Sequence, residues 1–583
     1  MAEFLNPAFI LIISAILVAF IENRVIRDLI LILVPILVLL QVFSLREGEY
    51  WVIRVLDYEL TMGKVDKLSL IFSYVFAIIT FLSNVYALHV EERGHHVATF
   101  LYSGAAFGVI FAGDWITLIA FWELMAIAST FVILYGKKES SINAGFRYLI
   151  VHLIGGATLI AGALMILSGF GPVKITKLQE MNLSSFLILS GFLVNAACPP
   201  LHAWLPDAYP EANPAGSVFL SAYTTKSAVY ILLRVFPGNE ILVWAGAVMA
   251  VYGVFYAVME NNLRRLLSYH IVSQVGYMVC GAGLGTFMSM NGSVAHAFCH
   301  ILYKALLFMA VGAVIFATGK EKISDLTGEG LYRKIPLTFY LYMVGAFSIS
   351  GVPLFNGFVS KTIIVYSSGE LHRAVINTLL HLASVGTFLS VALKLPYGTW
   401  FGKKSMEAKK RDLKIRRVPL NMYVSMAINS ALCVFIGVYP EILYKYLPYD
   451  ATFNPYTLYN VATALQLFLF VFIAFNIFKV KLSPEKKISL DTDWFYRKLG
   501  SLFLILCLKG YRMRIKVQSL CKTLLRGIFI FSLNPVNLKN LFLKKSKSQI
   551  MSYDPDFYRY PIGIGVGIFL LIYSLITIFL SRF

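Results

Sequence analysis

Apolar runs of about 18 residues or more recur along the whole of this 583-residue chain, and they constrain its fold more than any other feature. A helical run of that length matches the thickness of a lipid bilayer. Charged residues make up only 14% of the sequence, whereas soluble domains carry about 25%. We therefore expect an all-α polytopic membrane protein with about 16 transmembrane helices.

Two of the predicted spans contain residues that break helices. Adjacent prolines at 199–200 interrupt the seventh span, and the stretch GVPLFNG at 351–357 interrupts the twelfth. We expect a broken helix in each, covered by protein or by a hydrated cavity. The predicted spans are 4–22, 25–45, 68–90, 96–113, 115–136, 144–169, 184–205, 214–235, 240–258, 264–286, 290–317, 337–367, 373–397, 418–438, 456–479 and 561–581.

Basic residues are unevenly distributed between the loops. Loops after odd-numbered spans hold about 24 Lys and Arg, against about ten on the other side. Because Lys and Arg concentrate in cytoplasmic loops, both chain termini are predicted to lie outside. The formal net charge of +20 then reflects membrane topology, and no nucleic-acid partner is predicted.

The segment 490–550 differs from the rest of the chain. Short apolar clusters alternate there with basic ones, and about twelve Lys or Arg follow Trp494 without a carboxylate. This pattern favours an amphipathic helix lying flat on the cytoplasmic face, kinked near 534–535, over a further span. The last span, 561–581, then anchors its far end.

Ionisable residues stand inside several predicted spans. Glu123 lies in the fifth span, Lys226 in the eighth, and Lys361 directly after the break in the twelfth. Lys394 lies near the end of the thirteenth, where its side chain is expected to reach the interface. A charge near the bilayer centre costs roughly 2.5–3.5 kcal/mol even on the mild insertion scale, so such residues are functional candidates.

The eleventh span carries three such residues on one helical face. His296, His300 and Lys304 are spaced at i, i+4 and i+8. Pairing with carboxylates would make the buried lysines purely structural, but the spans offer Glu123 as the one clear central acid. The surplus lysines must be hydrated, or deprotonated by desolvation, and can then load and release a proton as histidine does. The pattern predicts a proton path that faces a wet bundle interior.

No motif in the sequence indicates a bound cofactor. The six cysteines form no C-x-x-C pair, and no phosphate-binding glycine loop is present. Two histidines at i, i+4 on one helix cannot ligate opposite faces of a haem, which argues against a haem-bearing redox subunit. No catalytic residue, cofactor or metal site is predicted.

Several long motifs resemble one known family. They are FWELM (121–125), LHAWLPDAYPEANPAGSVFLSAYTTKSAVYILLR (201–234), NNLRRLLSYHIVSQVGYM (261–278), HAFCHILYKALLF (296–308) and GVPLFNGFVSK (351–361). Over roughly residues 65–440 the chain is similar to the antiporter-like subunits shared by respiratory complex I and the Mrp-type cation/proton antiporters. It most resembles the D-type subunits of the Mrp antiporters and their relatives in archaeal membrane-bound hydrogenase and sulfur-reducing complexes.

The resemblance implies two inverted five-helix repeats, at 96–235 and 240–397, each with one broken helix. It also implies that Glu123, Lys226, His296, His300, Lys304 and Lys361 form a hydrated polar axis, and that the amphipathic segment is a lateral strap over neighbouring subunits. The remaining predicted regions are helices 1–3 in 1–90, helices 14–15 in 418–479 and the anchor helix in 561–581.

One position departs from the family pattern. Members usually carry a lysine on the first broken helix, where this chain has Asn195. Asparagine donates hydrogen bonds but cannot carry a proton. Either Lys226 pairs with Glu123 instead, or this half-channel is altered or inactive.

These observations predict a proton-translocating subunit, with or without linked Na⁺, in a multisubunit respiratory or Mrp-type complex. Its partners would be other membrane subunits, including antiporter-like ones, together with lipid. A stand-alone secondary transporter and a structural arm that no longer pumps remain the alternatives. A first span without a cleavage site or transit peptide favours a prokaryotic cytoplasmic membrane.

Overall fold

The predicted spans are helical in the computed structural model, which describes residues 5–56, 58–169, 173–402, 414–478, 491–533 and 561–580. Helices satisfy their own backbone hydrogen bonds, as a lipid environment requires. Ten helices within the described ranges are long and apolar enough to cross a membrane. Two compact units are present, Met1–Asp493 and Trp494–Phe583.

The first unit begins with three helices and a hairpin that the sequence did not predict. These elements are α1 (Pro7–Phe20), α2 (Arg24–Ser44), β1 (Gly48–Val55), β2 (Tyr58–Val65) and α3 (Lys67–Ala87). The strands pair antiparallel, with Val55 opposite Tyr58. Asp114, further along the chain, accepts a hydrogen bond from the backbone of Thr61 at 2.7 Å and so ties β2 to the bundle.

A first set of seven helices follows, which we call the first half. It comprises α4 (Arg93–Phe111), α5 (Trp115–Leu134), α6 (Glu139–Ser168), α7 (Leu183–Asn195), α8 (Trp204–Ala208), α9 (Pro214–Ala222) and α10 (Thr224–Val235). The break predicted at 199–200 is confirmed, since α7 ends before the prolines. A second break, at Tyr223 between α9 and α10, was not predicted.

A second set of helices, the second half, runs from residue 240 to residue 401. It comprises α11 (Glu240–Met259), α12 (Leu263–Leu284), α13 (Phe287–Thr318), α14 (Ile323–Leu326), α15 (Leu331–Lys334), α16 (Pro336–Ser350), α17 (Asn356–Glu370) and α18 (Ala374–Thr387). α18 continues as π-helix over Phe388–Lys394 and Tyr397–Phe401. The break between α16 and α17 lies within the predicted stretch.

Glycine allows the two segments of this broken helix to pass very close to each other. Gly351 ends α16 with φ +81°, a conformation that other residues rarely adopt. A Cβ atom at Gly357 would lie 1.7 Å from the carbonyl oxygen of Ser348. Gly351 and Gly357, which belong to the stretch from which the break was predicted, are therefore the residues that allow this close approach.

The remaining helices are α19 (Leu420–Val438), α20 (Glu441–Tyr444), α21 (Leu458–Phe478), α22 (Asp493–Leu533) and α23 (Ile562–Leu580). α22 begins where the amphipathic segment was expected, and its described side chains are almost all exposed. The kink expected near 534–535 lies outside the described residues.

The centre of the first unit is α13. This 32-residue helix packs against α3, α9, α10, α12, α16, α17 and α19, and 89% of its most apolar window is buried. A capping box formed by Thr286 and Ser289 starts the helix, and Gly319 in the left-handed conformation ends it. Because both halves contact α13, its polar face lies inside protein rather than toward lipid.

A buried carboxylate joins the two halves just before α22. Asp491 accepts hydrogen bonds from the hydroxyls of Tyr252 at 2.6 Å and Tyr269 at 2.7 Å, and His202 Nε2 lies 3.1 Å away. Burial raises the pKa of Asp491, but the hydrogen bonds outweigh burial and hold that pKa below its usual range. His202 follows α7, while the tyrosines belong to α11 and α12, so one side chain links three elements.

Candidate functional site

Glu123 lies on α5 and is half-buried against α6. Its Oε1 atom lies 1.8 Å from the position that a Cβ atom would occupy at Gly156, so glycine at that position makes room for the carboxylate. No ion pair joins Glu123 to another described residue. The pairing of Glu123 with Lys226, one of the two alternatives left by the sequence, is not present.

Asn195 is the last residue of α7, beside the first break. Its side chain is fully buried, and neither its Oδ1 nor its Nδ2 atom has a hydrogen-bond partner among the described residues. The indole of Trp204 on α8 closes the break by donating to the carbonyl of Val194 at 2.9 Å. The position at which the resemblance implies a lysine therefore holds an uncharged amide without a hydrogen-bond partner among the described residues.

Lys226 lies in the first turn of α10, at the unpredicted break. Its Nζ atom donates to the carbonyl of Ser221 at 2.5 Å and to Thr225 Oγ1 at 3.0 Å. Ser221 belongs to the last turn of α9, where carbonyl groups lack partners within their own helix. The lysine is fully buried, and its ammonium is held by oxygen atoms without a carboxylate.

The three polar residues of α13 are fully buried and lie along one face, as the spacing predicted. The rings of His296 and His300 have centroids 6.3 Å apart. Both ring nitrogens of His300 and the Nζ atom of Lys304 lack hydrogen-bond partners among the described residues. Buried polar atoms in this state are usually satisfied by ordered water, so this face has the character of a hydrated interior.

Lys361 lies in the second turn of α17, after the break between α16 and α17. Its Nζ atom donates to the carbonyl of Ile349 at 2.9 Å, in the last turn of α16, and lies 4.9 Å from the centre of the Tyr277 ring. Ser360, the preceding residue, lies 3.0 Å from His296 Nδ1. Lys361 and the histidines of α13 are thus brought together.

These groups form one connected electrostatic cluster. His300 interacts with Lys226, Lys304, His296 and Lys361, and Lys304 interacts with Lys226. The cluster, which we call the cation line, runs from Lys226 on α10 across α13 to Lys361 on α17. Glu123 and Asn195 lie outside it.

One member of the neighbourhood was not predicted from the sequence. His270 on α12 is fully buried, lies 2.7 Å from Ser390 Oγ and interacts with Lys304 and Lys361. The motif LLSYHIV gave a signal, a histidine inside an apolar run, but no spacing linked it to the others. Only packing of α12 on α13 and α18 brings His270 to the cation line.

Lys394, whose side chain was expected to reach the interface, is buried against the end of α11. Its side chain is 5% exposed, and its Nζ atom donates to the carbonyl groups of Val258 and Glu260 at the C-terminal end of α11. Helix C-termini carry partial negative charge that favours such a contact. Lys394 is therefore a fixed structural cation away from the cation line.

A cleft of about 270 Å³ lies beside Lys361, between α17, α18 and α21. Polar side chains line it from the lysine outward, including Thr362, Asn377, His381 and Glu370. Glu370 is the last residue of α17 and is exposed. The cleft, which apolar side chains such as Phe358 and Phe468 also line, opens from Lys361 toward the surface of the chain.

The side chains of the cation line are of the types that exchange protons. Lysine and histidine side chains without carboxylate partners take up and release protons when neighbouring charges change. No group of three or more His, Cys, Asp or Glu within the described ranges could hold a metal ion.

Comparison with known proteins gives a consistent picture. Residues 112–390 match the family described as NADH:quinone oxidoreductase/Mrp antiporter, transmembrane part. The chain is 28% identical over 357 residues to an uncharacterized protein of Methanocaldococcus jannaschii, covering 58% of this chain and 73% of the relative. It is 27% identical over 359 residues to the D-type subunit of the Na⁺/H⁺ antiporter of Alkalihalophilus pseudofirmus, covering 58% and 71%.

A solved structure shares the fold over nearly the whole chain. The membrane-bound sulfane sulfur reductase, an archaeal respiratory membrane complex, contains a chain that superimposes with a TM-score of 0.70 at 21% identity, covering 98% of this chain and 99% of that one. The matched family region includes every candidate residue from Glu123 to Lys361. Over residues 112–390 the chain therefore resembles the antiporter-like family shared by NADH:quinone oxidoreductase and the Mrp antiporters.

Proposed function

We propose that this chain conducts protons across a membrane along the cation line, alone or linked to Na⁺. The observation that carries the proposal is a series of buried, carboxylate-free bases from Lys226 through Lys304, His300 and His296 to Lys361. Burying several cations without counter-ions is costly, and a purely structural role would be met by apolar residues.

Charge repulsion supplies the coupling between neighbouring sites. Two like charges about 4 Å apart repel by about 4 kcal/mol at an effective dielectric constant of about 20. Protonation of Lys226 therefore disfavours a proton on Lys304, and the effect passes along α13 to Lys361. A change of charge at Glu123 would start the sequence, and Lys361 would release its proton into the adjacent cleft.

The energy source lies outside this chain in the proposal. Its relatives are named as subunits of antiporter and respiratory complexes. We infer that this chain likewise sits among other membrane subunits, in a prokaryotic cytoplasmic membrane with both termini outside. An ion gradient or the redox chemistry of a partner would drive proton movement, and the amphipathic helix α22 would contact lipid and neighbouring subunits on the cytoplasmic side.

A structural arm is the second candidate function. The unsatisfied amide of Asn195 and the unpaired carboxylate of Glu123 favour it for the first half, which lacks the lysine expected between them. The second half gives weaker support, because Lys361, His296 and His270 have polar partners and only His300 and Lys304 among its described bases on α13 do not.

Proton pumping by the native complex in sealed vesicles tests the proposal. Wild type is compared with Lys226→Ala and Lys361→Ala while partner turnover or Na⁺ flux is followed in parallel. We expect the proton gradient to fall to background in both variants with the complex still assembled. Lys394→Ala is the matched control, because it removes a buried lysine that lies outside the cation line. Unchanged pumping in both test variants would identify the chain as scaffold.

A further inference from the structure

Unsatisfied polar atoms gather around the end of α7. Trp122 Nε1, His152 Nε2 and both amide atoms of Asn195 are buried without hydrogen-bond partners among the described residues. All three side chains are 1% exposed or less. The Trp122 ring lies 5.4 Å from Phe192, and the His152 ring lies 4.5 Å from Trp204, which bonds the carbonyl next to Asn195. These unsatisfied atoms thus lie around the last turn of α7.

His152 is the one member of this group whose side chain can bind and release a proton. Its Nδ1 atom lies 3.0 Å from the carbonyl of Tyr148, one turn earlier on α6, which leaves Nε2 as the available position. The sequence did not single out this residue, because it stands alone in an otherwise apolar run.

The position of His152 links it to Glu123. Residues 152 and 156 are four apart and share one face of α6. The Glu123 carboxylate lies against Gly156, so it contacts α6 one helical turn, about 5.4 Å along the axis, from His152.

Several hydroxyl groups lie between His152 and Lys226. The Tyr148 ring stacks on the histidine with centroids 3.9 Å apart, and its hydroxyl lies 2.8 Å from Ser129 Oγ and near Thr224. Thr224 lies 2.7 Å from the Tyr102 hydroxyl and precedes Thr225, which accepts a hydrogen bond from Lys226. Hydroxyl groups both donate and accept, so they can relay a proton.

We propose that His152 is the proton-carrying residue of the first half and takes the place of the lysine that Asn195 does not supply. Nε2 binds a proton released by Glu123, which leaves Glu123 as carboxylate and His152 as imidazolium. The imidazolium then gives up one proton toward Lys226 and returns to neutral, while Lys226 becomes charged. Glu123, Tyr148, Tyr209, Tyr102 and Lys226 are the other titratable groups around this route. The inference rests on the proposed function.

The test compares His152→Gln, Asn195→Lys and the double variant H152Q/N195K in the native complex. Glutamine keeps hydrogen-bonding groups and similar bulk but cannot carry a proton. We expect H152Q to lower proton transport per turnover roughly tenfold or more, as loss of a proton-transfer group does. The double variant should recover much of the loss, because a lysine at 195 restores a proton carrier beside the same turn.

The control is His96→Gln, which removes another fully buried histidine, one whose Nε2 atom bonds the carbonyl of Val90 away from α7. Wild-type transport in H152Q overturns the inference, and so does loss in H152Q without recovery in the double variant. Lys361→Ala in the same vesicles separates the two proposals. If Lys361→Ala abolishes transport and H152Q does not, the proposed function stands and the role of His152 fails.

Discussion

The two halves of the first unit hold their buried bases differently. In the second half, Lys361, His296 and His270 each have a polar partner within 3.0 Å, and a cleft leads outward from Lys361. In the first half, Lys226 is satisfied by oxygen atoms of its own break, whereas the region around Asn195 is unsatisfied. Lys304 and His300, in the middle of the cation line, also lack hydrogen-bond partners among the described residues. The bases at the two ends of the cation line therefore have polar partners, whereas Asn195 and the middle of the line do not.

The contacts of the buried lysines show how the fold stabilises a cation without a carboxylate partner. Lys226, Lys361 and Lys394 each donate to a carbonyl at the C-terminal end of a helix, where the backbone has free acceptors and partial negative charge. Helix ends, two of them at breaks, therefore hold these lysines without a carboxylate. Lys304, within unbroken α13, has no such end available.

The largest expected effect follows from cutting the connection between the halves. Lys304→Leu should lower proton transport at least about 100-fold, because it removes the base between Lys226 and Lys361. The free energy of unfolding should stay equal or rise, since an unpartnered buried amine is replaced by an apolar group. Vesicle transport and thermal unfolding of the complex measure the two effects. Lys320→Leu, just beyond α13, is the control, and retained transport in Lys304→Leu would show that the halves act separately.

The next largest effect is expected on stability, at Asp491, whose side chain joins both halves. Asp491→Ala should lower the free energy of unfolding by about 3 kcal/mol, because two buried donors and one half-buried donor lose their acceptor. Thermal unfolding measures the loss, and Asp450→Ala, which removes an exposed carboxylate, should be close to neutral. Equal stability of the two variants would show that Asp491 does not hold the halves together.

The hydrogen bonds to Asp491 also determine how the stability of the folded chain depends on pH. Since the pKa of Asp491 is lower in the folded chain than its ordinary value of 3.8, its stabilisation is fully present above that value and is lost as pH falls through the folded pKa. The stability gap between wild type and Asp491→Ala should be constant from about pH 5 to about pH 8 and shrink below about pH 4. A gap that grows with acid would contradict the assigned hydrogen bonds.

A smaller effect tests whether the first half is active. Gly156→Ala places a methyl group where Glu123 Oε1 now lies, and the flexible side chain must move. We expect roughly fivefold slower proton transport with little change in stability, since misplacing a reacting group slows its step. Gly563→Ala, whose added Cβ would meet nothing within 4 Å, is the control. Unchanged transport would favour a silent first half.

The smallest expected effect lies at the mouth of the second-half cleft. Glu370 is exposed there, so water can replace it as a proton acceptor. Glu370→Gln should slow transport less than about twofold, in line with the weak influence of exposed charges. The same vesicle assay measures it. A loss as large as that of Lys361→Ala would show that release passes through this one carboxylate.

The sequence predicted helix positions well, and it failed where pairing across distance matters. α13 and the breaks before α8 and α17 lie where periodicity, proline and glycine placed them. The hairpin β1–β2 was missed, because its short alternating strands lie between longer apolar runs and lack a glycine-based turn signature. The number of membrane crossings, the inverted repeats and the sidedness of the termini stay predictions.

The site shows the same division. The shared face of His296, His300 and Lys304 followed from spacing alone, since one helix fixes it. The positions of His152 and His270 beside other helices did not, because a single residue in an apolar run carries no spacing signal. The acceptors of Lys394 were not predicted for the same reason, since they lie at the C-terminal end of α11, more than a hundred residues earlier.

By itself, the sequence determined that this chain is a bundle of apolar helices, that two of them break, and that bases lie inside them. Backbone hydrogen bonding in lipid and the helical repeat dictate those features locally. The tertiary structure alone decided which bases meet, that Lys226 does not pair with Glu123, and that Asn195 stands unsatisfied beside His152. Those outcomes depend on which helices pack together, and local sequence carries no record of that choice.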